Sequence, residues 1–73
     1  MINIKQLKYF ITCADAGSFS EAASVLYTTQ SSVSKAMKAM EESMGLLLFE
    51  RMPKGIVPTA QGRKVYRYAC RIL

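Results

Sequence analysis

Residues 18–49 contain the pattern that most restricts the fold: two short amphipathic segments separated by a break of three residues. Ser18 and Glu21 open the first segment at the spacing of a capping box, which marks a helix N-terminus. Residues 27–29 form the break, and Thr29 provides a side-chain oxygen that can cap a second helix. Two short helices joined by a tight turn predict a helix-turn-helix motif.

Each of these helices is predicted to have one apolar face. Small alanines in the first helix would let the second helix cross closely. In the second helix, apolar residues recur at steps of three and four, namely Val33, Ala36, Met37, Met40 and Met44. The residues off that stripe are polar or basic, with no acidic side chain among Gln30, Ser31, Ser34, Lys35 and Lys38. Gly45 can end the helix in the left-handed conformation.

The segment before the motif predicts a helix from Ile4 to Ala16, capped by Asn3 and ended by Gly17. We expect its buried stripe to consist of Ile4, Leu7, Phe10, Ile11 and Ala14.

The segment after the motif predicts a short β-hairpin. Residues 46–51 are too few for a helix and suit a strand. A turn signal at 53–55 and a returning strand at 56–57 follow, and Pro58 cannot extend the ladder. The sequence therefore predicts a hairpin wing with Arg51 and Lys54 near its tip.

A last helix is predicted from the cap residue Thr59, with Val65, Ala69 and Ile72 on one face. No glycine or proline stops this pattern before Leu73, which favours a helix that continues beyond it over a true terminus. We therefore divide the chain into residues 1–58, the predicted winged motif, and residues 59–73, the start of a linker helix.

Composition narrows the classes of partner and activity. Ten Lys and Arg face five Asp and Glu, and this net charge of +5 favours a polyanion, although many small domains are mildly basic. The chain has no histidine, so no metal site is predicted. Cys13 and Cys70 lie far apart in sequence, and free, buried cysteines in a reducing cytoplasm are favoured over a disulfide. No catalytic triad or glycine-rich phosphate loop occurs, so we predict that this part is not an enzyme and needs no cofactor. No stretch approaches the length of a transmembrane helix.

The chain resembles the N-terminal DNA-binding domain of LysR-type transcriptional regulators over nearly its whole length. The matching residues, in order, are Leu7, Phe10, Gly17, Ser18, Phe19, Ala22, Ala23, Leu26, Gln30, Ser32, Val33, Ser34, Glu41, Gly45, Leu48, Phe49, Glu50, Arg51, Thr59 and Gly62. The resemblance implies a winged helix-turn-helix, a mainly helical fold with a three-helix core. It also implies double-stranded DNA as partner, a homodimer formed through the linker helix, and a small-molecule effector bound by a domain beyond Leu73.

A helix-turn-helix reads bases through the first turns of its second helix. We therefore expect base contacts from Gln30, Ser31, Ser34 and Lys35. Ser31 stands where the family often has proline, and Lys35 stands where arginine is common. Backbone contacts are expected from Ser18, Thr28, Thr29, Lys38, Arg51 and Lys54. The dimer seam is expected at Val65, Ala69 and Ile72.

Two alternatives remain open at this point. Arg51 could touch the minor groove, or it could fix the wing by pairing with Glu50 or Glu41. A winged helix can also serve as a protein-interaction or RNA-binding module, but that role favours an apolar or acidic face, or exposed aromatic rings.

Overall fold

Four helices and one antiparallel hairpin make up the structure of residues 3–73, which is a computed structural model. Their order is α1 (Ile4–Ala16), α2 (Phe19–Val25), α3 (Gln30–Met44), β1 (Phe49–Met52), β2 (Gly55–Pro58) and α4 (Ala60–Ile72). The predicted fold, mainly helical with a hairpin wing after a helix-turn-helix, is confirmed.

The helices begin at the capping residues that the sequence indicates. Asn3 Oδ1 accepts a hydrogen bond from the Gln6 N–H at 2.8 Å, and Gln6 Oε1 accepts from the Asn3 N–H at 3.2 Å. Ser18, Thr29 and Thr59 cap α2, α3 and α4 through their hydroxyl oxygens. These bonds satisfy N–H groups that a helix start otherwise leaves without a partner, so the helix starts are set locally.

The core lies where α1, α2 and α3 meet the hairpin and α4. The ring of Phe49 lies against those of Phe10 and Phe19, with centroids 5.3 and 5.9 Å apart. The predicted α3 stripe is confirmed: Val33, Met37 and Met40 are buried, while Ala36 and Met44 pack against the core. In α1 the prediction was wrong for Ile4, which is 51% exposed because it lies at the outer end of the helix.

The hairpin is shorter at its start than predicted. Phe49 pairs with Pro58 and Met52 with Gly55, so β1 begins at Phe49 rather than at residue 46. The strand pairing ends there because the chain enters α4 directly after Pro58, and one further bond, from the Thr59 N–H to the Leu48 carbonyl at 2.9 Å, joins the two segments just outside the strands. Arg51 lies opposite Ile56, so the tip consists of Pro53 and Lys54, and the expectation that placed Arg51 near the tip was wrong.

Close backbone contacts hold the wing against the end of α1 and hold α4 against the residue that precedes β1. The Ile56 N–H donates to the Gly17 carbonyl at 2.9 Å, and a Cβ on Gly55 would overlap that same oxygen. In α4, a Cβ on Gly62 would overlap the Leu48 carbonyl oxygen. Both positions require glycine because of space, and Gly55 also has a φ of 144°, which disfavours residues with a Cβ.

Two side-chain bonds add to the attachment of α4. The Thr59 hydroxyl donates to the Leu47 carbonyl at 2.6 Å, and the Tyr66 hydroxyl donates to Asp15 Oδ1 at 2.6 Å. The bond to Asp15 is the first cause of a rise in the pKa of Tyr66 to about 12, because it favours the protonated phenol. Helix α4 is therefore docked on α1.

Candidate nucleic-acid interface

The turn between α2 and α3 is held by backbone bonds and presents an aromatic ring to solvent. The Thr28 N–H donates to the Ala23 carbonyl at 3.0 Å, which closes the end of α2. Tyr27 takes the left-handed position of this helix end, with φ of 56°, where glycine is the usual residue. Its side chain is 97% exposed. The sequence analysis assigned no role to Tyr27. An aromatic residue within an otherwise polar break between two helices could have indicated an exposed contact residue.

The N-terminus of α3 is open to solvent and free of acidic side chains. Thr29 Oγ1 accepts from the Ser32 N–H at 3.1 Å, and no acidic residue lies in the first turn of α3. The positive end of the helix dipole and the remaining N–H groups therefore face water, an arrangement that suits a phosphate or another anion.

The structure brings the four predicted base-contact residues to one side of α3. Gln30, Ser31 and Lys35 are exposed, and Ser34 is half-buried. Positions three and four apart share a face of a helix, so all four can reach a partner that lies along this face. Ser34 differs from the others because Arg51 Nη2 donates to its Oγ at 3.4 Å.

The residues predicted to contact the DNA backbone lie around this face, but their side chains differ in exposure and in the internal hydrogen bonds that they make. Ser18 and Thr29 use their hydroxyl oxygens as helix caps, and Thr28 is half-buried. The three cations of the set, Lys38, Arg51 and Lys54, are exposed, and Lys54 lies at the tip of the wing. Electrostatic attraction to a polyanion is thus available from both the helix and the wing.

Arg51 meets neither of the carboxylates that sequence reasoning offered as partners. Its guanidinium lies over the Phe19 ring, 5.1 Å from the centroid, and its hydrogen bond goes to Ser34. Glu41 Oε2 instead accepts from the N–H groups of Leu48 and Phe49, at 2.8 and 3.3 Å. The role of Phe19 as a platform for Arg51 was not predicted, since the two residues are remote in sequence.

A cavity of about 250 Å³ separates α3 from the wing. Its helix side is formed by Ser34, Met37, Lys38 and Glu41, and its other side by Phe19, Phe49 and Arg51. Two cations and a hydroxyl thus converge on an open space beside the predicted base-contact face.

The dimer-seam prediction needs a correction in one residue. Ala69 is 1% exposed and belongs to the core of this chain, and Val65 packs against that core. Ile72 is 63% exposed, and so is Tyr68, which the sequence analysis left out of the seam. The apolar surface of α4 is therefore rotated toward Tyr68, because the docking of α4 on α1 buries Ala69.

Neither cysteine suggests a reactive centre. Cys13 is buried, and desolvation raises the pKa of its thiol to about 12, so the nucleophilic thiolate is disfavoured. Cys70 is free, as predicted, but exposed rather than buried. Among residues 3–73, no group of three or more His, Cys, Asp or Glu side chains could hold a metal ion. No helix in that range is long and apolar enough to cross a membrane.

Comparison with known proteins shows that most of the chain matches one protein family. The sequence model of bacterial regulatory helix-turn-helix proteins of the lysR family matches residues 4–63. The HTH-type transcriptional regulator TcbR of Pseudomonas sp. (strain P51) is 40% identical over 99% of this chain and 24% of its own length. The nitrogen assimilation regulatory protein nac of Klebsiella aerogenes is 36% identical over the same shares. The chain thus spans about a quarter of the length of these relatives.

Solved structures give the same relationship in three dimensions. The DNA-binding domain of CbnR in complex with DNA is 39% identical, with a TM-score of 0.94 over 97% of this chain and 82% of that chain. The DNA-binding domain of BenM in complex with benA site 1 DNA is 30% identical, with a TM-score of 0.93 over 97% of this chain and 80% of that chain.

Proposed function

The chain belongs to the LysR family of bacterial regulatory helix-turn-helix proteins, and on this basis we propose that it binds double-stranded DNA sequence-specifically as the N-terminal domain of a transcription regulator. The observation that carries the proposal is the open N-terminus of α3, where polar and basic side chains share one face of a fold closely similar to DNA-bound domains. Major-groove recognition needs such a face on a helix.

In the proposed complex, α3 lies in the major groove. Gln30 can pair with both N6 and N7 of adenine, and Ser31 and Ser34 can bond base edges or phosphates. Lys35 can reach the acceptors of guanine, but as a single point charge it lacks the planar fork of arginine. These contacts supply specificity, while Ser18, Thr28, Thr29, Lys38, Arg51 and Lys54 position the domain on the sugar-phosphate backbone.

The wing lies at the adjacent minor groove or backbone, with Lys54 at its tip. The hairpin geometry supports this placement, because Arg51 of β1 bonds Ser34 of α3 and the Ile56–Gly17 bond holds β2 at the end of α1. A lysine at the tip can meet a phosphate without displacing any internal bond.

We further propose that the full-length protein is a homodimer that pairs through α4 and that such dimers can assemble into higher oligomers. The small-molecule effector would bind a domain outside this chain, which itself needs no cofactor, and the proposed site of action is the bacterial cytoplasm, where the DNA lies. The relatives named above are regulators rather than enzymes, and we propose the same for this protein.

Salt-dependent binding distinguishes this function from an RNA-binding or protein-interaction module. The chain should be titrated against a duplex selected from a random pool and against single-stranded RNA of the same sequence, at several salt concentrations. We expect tighter binding to the duplex and a steep loss of affinity with salt, because bound cations release counterions from DNA. Lys35→Ala should weaken binding, whereas Lys64→Ala on α4 serves as the matched control. Equal or tighter binding of the RNA would overturn the proposal.

A further inference from the structure

We propose that the cleft between α3 and β1 holds one phosphate of the DNA backbone, bound jointly by Ser34, Lys38 and Arg51. The inference rests on the proposed DNA-binding function and adds the place where one backbone strand crosses the domain. It also changes the expected role of Ser34 from a base contact to a phosphate contact.

The position of the cleft follows from the two grooves that the domain would occupy. With α3 in the major groove and the wing at the neighbouring minor groove, the strand that separates the grooves has to pass between helix and wing. The cavity of about 250 Å³ lies between these elements, with Ser34 and Lys38 on one wall and Arg51 on the other. A phosphate of the crossing strand would therefore come to this cleft.

The side chains of the cleft match the chemistry of a phosphate. Ser34 and Lys38 are four residues apart and so project from the same face of α3, and both line the cavity. Arg51 approaches from β1, and its planar guanidinium can donate two parallel bonds to phosphate oxygens. Together they offer a hydroxyl and two positive charges from both sides of one space.

Arg51 is already held in the orientation that such a contact requires. Stacking on Phe19, 5.1 Å from the ring centroid, fixes the plane of the guanidinium. Its bond to Ser34 Oγ is long, at 3.4 Å, so replacing it with a charge-assisted bond to a phosphate oxygen gains strength. The hydroxyl of Ser34 then remains free to donate to the same phosphate.

Glu41 lines the same cavity and has to be counted against an anion. Its Oε2 accepts the N–H groups of Leu48 and Phe49, which draw the carboxylate toward the start of β1 and offset its negative charge. Two cations therefore face one carboxylate that already has partners, and the balance in the cleft favours an anion.

A scan of neutralised phosphates tests the proposal directly. The probe is a duplex selected from a random pool by the wild-type chain, prepared with a single methylphosphonate at each backbone position in turn. One position in each half-site should weaken wild-type binding by about tenfold, the size of a lost bond between charged groups, and the coupling is measured on a duplex neutralised at that position in both half-sites. Lys38→Gln and Arg51→Gln should each weaken binding to the unmodified duplex by a similar factor and lower the salt slope by about one unit.

The decisive measurement is whether the affinity lost through a protein substitution depends on neutralisation of the DNA phosphate. On the duplex neutralised at that position in both half-sites, Lys38→Gln and Arg51→Gln should cause little further loss, since their partner is already absent. Lys64→Gln, an exposed lysine on α4, is the control and should leave every affinity unchanged. Ser34→Ala should couple to the same phosphate; a changed preference at one base pair instead would return Ser34 to the base-contact set.

Full loss from Lys38→Gln and Arg51→Gln on every modified duplex would overturn the proposal, because neither side chain would then contact a backbone phosphate. Coupling of the two variants at two different positions would also overturn it, because no single phosphate would then be shared. Melting temperatures of the variants, and Arg51→Lys as a charge-conserving replacement, separate a lost contact from a disturbed wing. If the wild-type chain binds no duplex, the proposed function itself fails and the cleft assignment with it. If it binds duplex without this coupling, only the cleft assignment fails.

Discussion

At the scale of single residues, Tyr27 combines an unfavourable backbone conformation with a side chain that is 97% exposed. Its φ of 56° lies in the left-handed region, and its ring is almost fully in water. A residue with a Cβ is held there because the backbone bonds at the end of α2 determine the conformation of the turn. The surrounding structure therefore imposes the unfavourable backbone conformation of Tyr27, which costs conformational free energy.

Tyr27→Gly should raise the stability of the free domain by about 0.5–1 kcal/mol. The left-handed conformation costs a residue with a Cβ about 1–2 kcal/mol, and the greater freedom of glycine in the unfolded chain offsets part of this gain. Urea unfolding measures the change. Ala39→Gly, at an exposed position within α3, is the matched control and should lose about 1 kcal/mol. A loss of stability in Tyr27→Gly would mean that the ring makes a stabilising contact.

Gln30→Ala should weaken specific DNA binding by about 1–3 kcal/mol and relax the preference at one base pair. Gln30 is exposed and is the first residue of α3, the position from which a recognition helix reaches base edges. The mutant should be titrated against the selected duplex and its single-base variants. Uniform weakening over all variants would instead assign Gln30 to the backbone.

At the scale of elements, the wing and α4 depend on backbone contacts that side-chain patterns do not reveal. The wing is tied to the corner between α1 and α2 through Ile56 and Gly17, and α4 crosses the start of β1 at Gly62. These contacts determine how far the wing stands from α3, and hence the width of the cleft beside the base-contact face.

Gly62→Ala should destabilise the domain although alanine is the better helix former. Helix propensity favours alanine by about 1 kcal/mol, but its Cβ would overlap the Leu48 carbonyl oxygen, and relieving the overlap has to shift α4 or β1. Thermal unfolding is the measurement, and Gln61→Ala at the exposed neighbouring position is the control. An unchanged or higher melting temperature would show that α4 can move away without loss.

Lys54→Ala should weaken binding to all duplexes by similar factors and lower the salt slope by about one unit. The reason is the exposed position of Lys54 at the tip of the wing, where it can meet a phosphate but no base edge. Affinities at several salt concentrations provide the slope. If the slope of the variant equals that of the wild type, the wing does not reach the DNA backbone.

At the scale of the whole molecule, the outer side of α4 is the surface that we propose for pairing. Tyr68 and Ile72 are four residues apart and exposed along that side, with Leu73 exposed beside them, and the half-buried Val65 lies at the edge toward the core. Arg67 and Arg71 lie along one edge of the stripe and make that edge polar. A stripe of this kind suits the pairing of two helices across a two-fold axis.

Tyr68→Glu and Ile72→Glu should each raise the dissociation constant of the homodimer about tenfold or more, since a carboxylate would be buried in the seam. Sedimentation at several concentrations measures this, and Ser20→Glu on α2 is the control for added charge. A dimer should place two recognition helices in successive major grooves, so the selected DNA should be an interrupted palindrome. Undiminished pairing in both variants would move the interface away from α4.

The helices could be predicted from interactions between residues that are close in sequence. Each cap involves residues three apart, and the α3 stripe follows the helical repeat, so helix starts and the buried face of α3 could be predicted from neighbouring residues. That Gln30, Ser31, Ser34 and Lys35 share one side of α3 could be predicted for the same reason, because residues 30–35 lie within two turns of one helix.

Only the tertiary structure decided which partners distant residues meet. Ala69 is in the core and not in the seam because α4 docks on α1 with that side inward. Arg51 reaches Ser34 and Phe19 rather than a carboxylate because the packed hairpin brings β1 beside α2 and α3, which no local pattern encodes. The sequence by itself determined where the helices form, through local bonds and periodicity, whereas the bounds of the strands and the cleft between α3 and the wing were decided by the packing of elements far apart in sequence.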